Sequence, residues 1–208
     1  MAGCFKRLGL MLLVVVAGCG DDDGGAAGDG GGPDVRAVDA RAGADAAGAF
    51  LFGGTVTGPA AAAGPVGVIW VVSAGSPDYS YGFGAGSSSG ATFAGGLTST
   101  PPTAARNVTA QADFGVGVAI LMAPGQSLPE GRLTSMPPTP VGLSARHAII
   151  YRGPTDTGTV MPWTAAFPVG LSCGVCVDAP SGFDSFAPVD CAALVIDSNL
   201  STPVCNWS

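Results

Sequence analysis

The sequence predicts an all-β domain, an antiparallel β-sandwich or alternatively a small β-barrel of about eight strands, that follows a disordered N-terminal tether. Glycine and proline supply 34 and 17 of the 208 residues, and no stretch keeps a helical apolar period over three turns, so long helices are not expected. Short runs rich in β-branched and aromatic residues alternate with Gly/Pro/Ser clusters, which is typical of antiparallel strands and turns. Residues 49–208 suffice for one domain with a hydrophobic core.

The first element, residues 1–18, has the layout of a secretory signal peptide. Lys6 and Arg7 precede an apolar stretch over residues 8–17, and the small residues Ala17 and Gly18 follow. A positive start, a short apolar core and a small-residue processing site define such peptides. The apolar run is too short for a membrane span, which needs about 20 residues.

Cys19 lies directly after this segment. Val16, Ala17, Gly18 and Cys19 resemble the lipobox of bacterial lipoproteins, in the order aliphatic, small, small, cysteine. The resemblance implies cleavage before Cys19 and attachment of diacylglyceryl and acyl (palmitate) chains to it. Acyl chains buried at about 0.8 kcal/mol per methylene give stable membrane attachment. The implied location is the bacterial cell envelope, periplasmic or surface-exposed, with the outer membrane favoured; the alternatives are an ordinary secretory peptide and an uncleaved anchor.

Residues 19–48 predict a flexible tether. From residue 20 onward the stretch is nearly all Gly, Ala and Asp, with seven acids, two arginines and the two valines Val35 and Val38. Such a composition buries too little apolar surface to offset the entropy of ordering. A net charge of −5 keeps the segment extended and away from anionic headgroups.

The strands of the domain follow in order. Residues 50–57 open it. The run PVGVIWVVS, residues 65–73, has apolar residues at both odd and even positions, which indicates a central strand covered on both faces. Residues 79–83 alternate aromatic with small side chains, and residues 90–97 follow a Gly/Ser loop. The opening FGGTVTG, residues 52–58, resembles prealbumin-like and carboxypeptidase-regulatory-type sandwich modules of secreted proteins, and that resemblance implies a structural or binding module.

Four further strands complete the prediction: residues 114–122, 143–152, 169–177 and 189–196. The first of them places large apolar residues on one face and Gly115, Gly117 and Ala119 on the other. Small residues in a strand indicate that another group packs closely against them.

Two structural disulfides are predicted among Cys173, Cys176, Cys191 and Cys205. An even number of cysteines in an exported chain most simply forms disulfide bonds. The spacing offers zinc no second close pair, and residues 178–182 cannot continue the helix that a redox Cys-x-x-Cys needs. On a strand, Cys173 and Cys176 point to opposite faces and cannot bridge each other. Pairing with residues 189–196 favours Cys176 with Cys191 and Cys173 with Cys205.

A catalytic alternative uses the serine loop at residues 86–90, which satisfies G-x-S-x-G. Ser88, Asp113 and His147 follow in the chain order of α/β-hydrolases, but a strand or coil sequence follows the loop where that chemistry needs a helix. His147 is the single histidine. It falls on the same face of its predicted strand as Ile149 and Tyr151, which indicates a half-buried structural role. The residues indicate no cofactor and no metal.

The partners expected are membrane lipid, through acylated Cys19, and an unknown protein or carbohydrate ligand. Residues 49–208 carry eight acids against four arginines and no lysine, which argues against nucleic acid. Tyr79, Tyr81, Phe83 and Phe93 line one face of a predicted hairpin, a pattern of core or, if exposed, of a binding platform. The leading interpretation is therefore a membrane-anchored extracytoplasmic lipoprotein with a non-catalytic binding or structural domain; the alternative is a serine hydrolase using residues 86–90 and His147.

Overall fold

The structure is a computed structural model, described here for residues 49–59, 64–71, 80–133, 140–178 and 184–207. These residues form twelve strands and two 3₁₀ turns, Thr103–Ala105 and Pro162–Ala166, with no α-helix among them. The strands are β1 Phe50–Thr57, β2 Gly64–Val71, β3 Ser80–Ser89, β4 Thr92–Leu97, β5 Asn107–Val108, β6 Asp113–Leu121, β7 Gly131–Leu133, β8 Gly142–Leu143, β9 His147–Arg152, β10 Gly170–Val177, β11 Ser185–Val189 and β12 Leu194–Asp197. The all-β prediction is confirmed.

Seven strands close into a barrel in the order β6, β2, β3, β4, β1, β12 and β8, and β8 returns to β6. The small barrel, predicted as the alternative, is therefore the architecture of the domain, and the favoured sandwich is not found. The physical reason is the pairing of β1 with β12, which is parallel and places Gly54 opposite Leu194. That pairing joins strands from the two ends of the domain and removes the open edges that a two-sheet sandwich keeps.

A three-stranded extension leaves the barrel at β6. The first half of β6 pairs with β9, and its last residues, Ile120 and Leu121, pair with β8. Strands β10 and β11 continue the sheet beyond β9. One long strand thus serves both the closed barrel and an open sheet.

The predicted strand at residues 189–196 is wrong. The chain forms β11, which ends at Val189, and β12, which begins at Leu194. Between them, the backbone N–H of Ala193 donates to the carbonyl of Asp190, 3.0 Å away, and this turn redirects the chain from the extension into the barrel. Similarly, the run predicted over residues 143–152 is divided between β8 and β9.

Trp70 occupies the barrel interior with 1% of its surface exposed. Its ring packs over the glycines of β6: a Cβ on Gly117 would lie 3.1 Å from Trp70 Cε3, and one on Gly115 would lie 3.4 Å from the same atom. The close packing that the small face of β6 predicted is confirmed, and Trp70 is the group that packs there. The other fully enclosed residues of this cluster include Val68, Leu121, Ile149, Leu194 and Ile196.

A second cluster covers the opposite face of the extension. The Pro162–Ala166 turn, Cys205 and Trp207 pack against it, and Trp163 makes edge-to-face contacts with Phe114, Phe167 and Phe186. Its other buried members are Ala112, Val116, Ala148, Ile150, Cys176 and Cys205. The extension therefore has a core of its own on the side away from the barrel.

Two disulfides are confirmed, but their favoured pairing is wrong. Cys173 bonds Cys191 and Cys176 bonds Cys205, with Cα atoms 5.2 Å and 5.9 Å apart. The register explains the difference: Val189 lies opposite Cys173, so Cys191, two residues further on, comes within reach of Cys173. The predicted opposite orientation holds, since Cys173 packs in the barrel cluster and Cys176 in the second cluster.

Candidate functional site

A cleft of about 380 Å³ opens in the barrel wall where β2 and β3 meet the loop from β6 to β7. The pairing of β2 with β3 is irregular there, because Val66 lies opposite Gly86 whereas Gly67 lies opposite Gly84. Ala85 is thus an extra residue on β3, a β-bulge, and bulges are common beside functional sites. The walls are residues 65–67 and 84–86 with Met122, Ser127, Leu128 and Glu130 of the loop.

An unpaired stretch of edge on β3 adjoins this cleft. On the side away from β2, Gly82 pairs with Gly131 of β7, and Gly86 pairs with Gly95 of β4. Residues 83–85 lie between these two ladders and pair with neither. Continued past their last paired residues, the two registers bring Glu130 alongside Phe83 and Gly96 alongside Ala85, so main chain of the same domain bounds this gap at both ends.

Gly84 and Glu130 give the cleft its chemical character. Both residues are exposed, and a Cβ added to Gly84 would meet Glu130 Oε1 at 3.5 Å, an ordinary van der Waals contact. The missing side chain therefore leaves free volume over the main chain. Glu130 adds a carboxylate at the rim of this volume.

Sequence reasoning missed both of these residues. Glu130 is in a loop without a recognisable motif, and the glycines of β3 carry no chemistry of their own. The glycine alternation at residues 82–86 was the available signal, because glycine in a strand marks a bulge or a close approach of another backbone.

The predicted aromatic face lies on the inner wall of the barrel. Tyr81 pairs with the buried Trp70, and directly paired residues point to the same face of a sheet. Tyr81 and Phe83 are half-buried against the interior cluster, and Phe93 is 5% exposed within it. The core interpretation is thus favoured over a binding platform; Tyr79 lies outside the described residues.

Ser88, Asp113 and His147 are not brought together. Ser88 lies in β3, where its Oγ accepts from the backbone N–H of Gly64 at 3.0 Å and donates to the carbonyl of Gly64 at 3.3 Å. Asp113 begins β6 and His147 begins β9. The antiparallel register of these strands separates the two residues by about six positions, or roughly 20 Å.

His147 is half-buried, and its Nδ1 is buried without a hydrogen-bond partner in the described structure. Burial lowers the pKa of His147 below 6.5, and the neighbouring Arg146 lowers it further. Both effects favour the neutral ring.

A buried polar network surrounds Asp113. Arg106 Nη1 donates to Asp113 Oδ1 at 2.7 Å, and the backbone N–H of Asp113 donates to Asp156 Oδ2 at 3.1 Å. Asp156 Oδ1 accepts from Thr164 Oγ1 at 2.6 Å and lies 3.6 Å from Arg152 Nε. Each buried carboxylate thus has an arginine partner, which is the condition for burying a charge. The network joins β6 and β9 to the loop that follows β9. The sequence did not predict it, because Asp113 and Asp156 are too far apart in the chain to form a recognisable motif.

Cys176, Asp184 and Cys205 have donor atoms within 4.8 Å of one another. The two sulfur atoms form a disulfide, which leaves no thiolate for a metal ion. Asp184 Oδ2 accepts from the backbone N–H of Asn206 at 2.9 Å. The group therefore fixes the C-terminal tail to the sheet.

No protein-family model, curated protein or solved structure matches this chain. Two disulfides are typical of proteins in oxidising, extracytoplasmic compartments. The part of the chain described by the structure has no helix long and apolar enough to cross a membrane. Cys19 lies outside that part.

Proposed function

We propose that this protein is a bacterial envelope lipoprotein whose barrel domain is a non-catalytic binding module. One observation carries the proposal: the lipobox-like sequence at residues 16–19 is followed by an acidic Gly/Ala-rich segment and then by a disulfide-braced domain. Cys19 supplies the acyl anchor, and residues 20–48 separate the domain from the bilayer. The outer membrane is the favoured location.

The cleft beside Gly84 is the ligand site in this proposal. It combines a β-bulge and the exposed carboxylate of Glu130 on a barrel wall that is otherwise paired around its circumference. Its volume lies near the lower end of the range of small-ligand sites. A rigid, closed scaffold that presents a local irregularity is the usual way in which a β domain carries a site.

Acylation is tested with Cys19→Ser, and Cys4→Ser is the matched control because Cys4 precedes the lipobox. In a bacterial host fed radiolabelled palmitate, the wild type and Cys4→Ser are expected to carry label and to partition into detergent. Cys19→Ser is expected to lose both properties. Recovery of the wild type as a soluble, unlabelled species cut elsewhere would contradict the proposal.

The non-catalytic assignment has its own test. The purified protein is assayed against panels of esters and glycosides beside His147→Ala, since any histidine-dependent reaction must use this residue. We expect no turnover by either protein. Turnover by the wild type that is lost in His147→Ala would establish a hydrolase instead.

A further inference from the structure

All three asparagines of the chain are followed, two positions later, by serine or threonine with no proline between them. The three sequences are Asn107-Val108-Thr109, Asn199-Leu200-Ser201 and Asn206-Trp207-Ser208. Serine and threonine are only 30 of the 208 residues, so chance alone would rarely place one after every asparagine. Asn-x-Ser/Thr without a central proline is the acceptor sequence, or sequon, for N-linked glycan in exported proteins.

We propose that Asn199 is the acceptor of an N-linked glycan, added on the extracytoplasmic side of the membrane. This inference rests on the proposed envelope location. The donor is an oligosaccharide carried by a polyprenyl diphosphate, and the enzyme is a membrane oligosaccharyltransferase. Nδ2 of Asn199 bonds to the anomeric carbon of the glycan, and the bond from that carbon to the phosphate oxygen breaks. Polyprenyl diphosphate leaves, and one amide proton passes to a base of the enzyme.

Asn199 lies in an exposed turn that follows β12. Residues 199–201 are all exposed, and the backbone N–H of Thr202 donates to the carbonyl of Asn199 at 3.0 Å. The backbone N–H of Ser201 donates to Asn199 Oδ1 at 3.2 Å. The carboxamide is thus held through its oxygen, while its Nδ2 has no hydrogen bond to any residue that the structure describes. The atom that receives the glycan is therefore available to an enzyme.

A carboxylate lies two positions before Asn199. Asp197 accepts from the backbone N–H of Asn199 at 2.8 Å and from Thr202 Oγ1 at 2.5 Å. The hydrogen bond from Thr202, followed by that from Asn199, lowers the pKa of Asp197 below its ordinary value of 3.8, so the group is charged at neutral pH. The same position holds Ala105 and Val204 in the other two sequons. A cationic group of a transferase can therefore bind beside Asn199 and not beside the other asparagines.

The other two asparagines are held in place by the fold. Asn107 begins β5, and its Nδ2 is buried. Asn206 is exposed, but it lies between the disulfide-bonded Cys205 and the buried Trp207. Its backbone N–H donates to Asp184 Oδ2 at 2.9 Å, and its carbonyl accepts from the backbone N–H of Asp184 at 2.7 Å. A transferase must take the acceptor segment into its own site, which the turn after β12 permits and these two segments resist.

The experiment uses the full acylated chain, folded in detergent with its disulfides intact. It is incubated with polyprenyl-diphosphate oligosaccharide and either of two purified bacterial oligosaccharyltransferases, one that requires an acid two positions before the asparagine and one that does not. Peptide mass spectrometry locates the glycan, and we expect both enzymes to modify Asn199 alone. Transfer to Asn107 or Asn206 instead, or no transfer while a reference acceptor protein is glycosylated, would overturn the inference. So would an unmodified Asn199 in protein isolated from its native membranes.

Variants test the recognition. Asn199→Gln and Ser201→Ala are each expected to lose the glycan, whereas Ser201→Thr should keep it, because threonine retains the hydroxyl of the sequon. Asn107→Gln is the matched control and should be modified as the wild type is. Asp197→Asn keeps the shape of the carboxylate without its charge, and is expected to lose transfer only by the enzyme that requires the acid.

Retention of the glycan in Asn199→Gln or in Ser201→Ala would place the acceptor elsewhere and contradict the assignment. Circular dichroism confirms that each variant is folded. Palmitate labelling at Cys19 is measured independently, and the transfer reaction uses purified protein. Failure of the glycan assignment is therefore distinguishable from failure of the lipoprotein proposal.

Discussion

Trp70 packs directly over Gly117: a Cβ added there would lie 3.1 Å from the Cε3 and Cζ3 atoms of Trp70 and 2.9 Å from Cγ1 of the adjacent Val68. Because Trp70 is fully buried in the barrel, its ring has little room to move. Gly117→Ala is therefore expected to lower the free energy of unfolding by about 1–3 kcal/mol, the usual cost of overpacking. The change in the free energy of unfolding is measured by urea titration, with tryptophan fluorescence as the signal.

Gly115→Ala is the matched control for this variant. Its Cβ would contact Trp70 at 3.4 Å, an ordinary contact distance, so a change within about 0.5 kcal/mol is expected. Equal losses in the two variants would show that the small face of β6 acts through strand propensity rather than through close packing against Trp70 and Val68.

Asp156 is expected to be essential for stability. Its carboxylate accepts from the backbone N–H groups of Asp113 and Gly158 and from Thr164 Oγ1, and it is 7% exposed. Asp156→Ala would leave these donors without their acceptor and would remove the carboxylate that lies 3.6 Å from Arg152 Nε, at a cost of about 3–5 kcal/mol. Thermal or urea unfolding checks this value.

Asp178→Ala provides the comparison. Asp178 also pairs with an arginine, Arg146, but its side chain is 74% exposed, so the loss is expected to stay below about 1 kcal/mol. A loss at Asp156 as small as that at Asp178 would mean that the network is not buried in solution.

Each disulfide should stabilise the domain separately. The closed loops span 18 residues for Cys173–Cys191 and 29 for Cys176–Cys205, and loop closure predicts about 3 kcal/mol for each, slightly more for the wider one. Double alanine variants of each pair are compared by urea unfolding. Non-reducing peptide mapping of the wild type is expected to recover these two pairs; a peptide joining Cys173 to Cys205 would contradict the register of β10 with β11.

Stability should depend on pH through His147. Burial and Arg146 lower its pKa in the folded protein below 6.5, so between these two pKa values the unfolded chain binds more protons than the folded one. The free energy of unfolding is therefore expected to be constant above about pH 7.5 and to decrease as the pH falls through 6.5 toward the folded pKa. Urea midpoints between about pH 7.5 and 5 measure the slope, which His147→Gln should remove; the same slope in that variant would assign it to other groups.

The sequence predicted the individual strands and their faces better than it predicted the closure of the barrel. The strand containing Trp70 and the small face of β6 follow from side-chain patterns within nine or ten residues. The parallel pairing of Gly54 with Leu194 depends on strand register between distant segments, which no local pattern encodes. The cysteine pairing failed for the same reason, because a turn after Val189 shifts Cys191 from Cys176 to Cys173.

The candidate site was less predictable than the fold. Ser88 and His147 matched a catalytic pattern along the chain, but the topology separates them. The cleft arises where a bulge at Ala85 meets a loop that carries Glu130, and neither feature has a distinctive sequence. A site made of a β-bulge and one carboxylate can be recognised only when the strand pairing is known.

The parallel pairing of β1 with β12 also determines when the domain can finish folding. Some 140 residues separate Gly54 from Leu194, its partner, and contacts between such distant segments form slowly because a long loop must close first. In the export that we propose for this chain, the amino end crosses the membrane first, so β1 emerges early and its side facing β12 stays unpaired until β12 follows. We therefore expect the barrel to fold after translocation. Until then, β1 is the segment of the translocated chain most prone to aggregation.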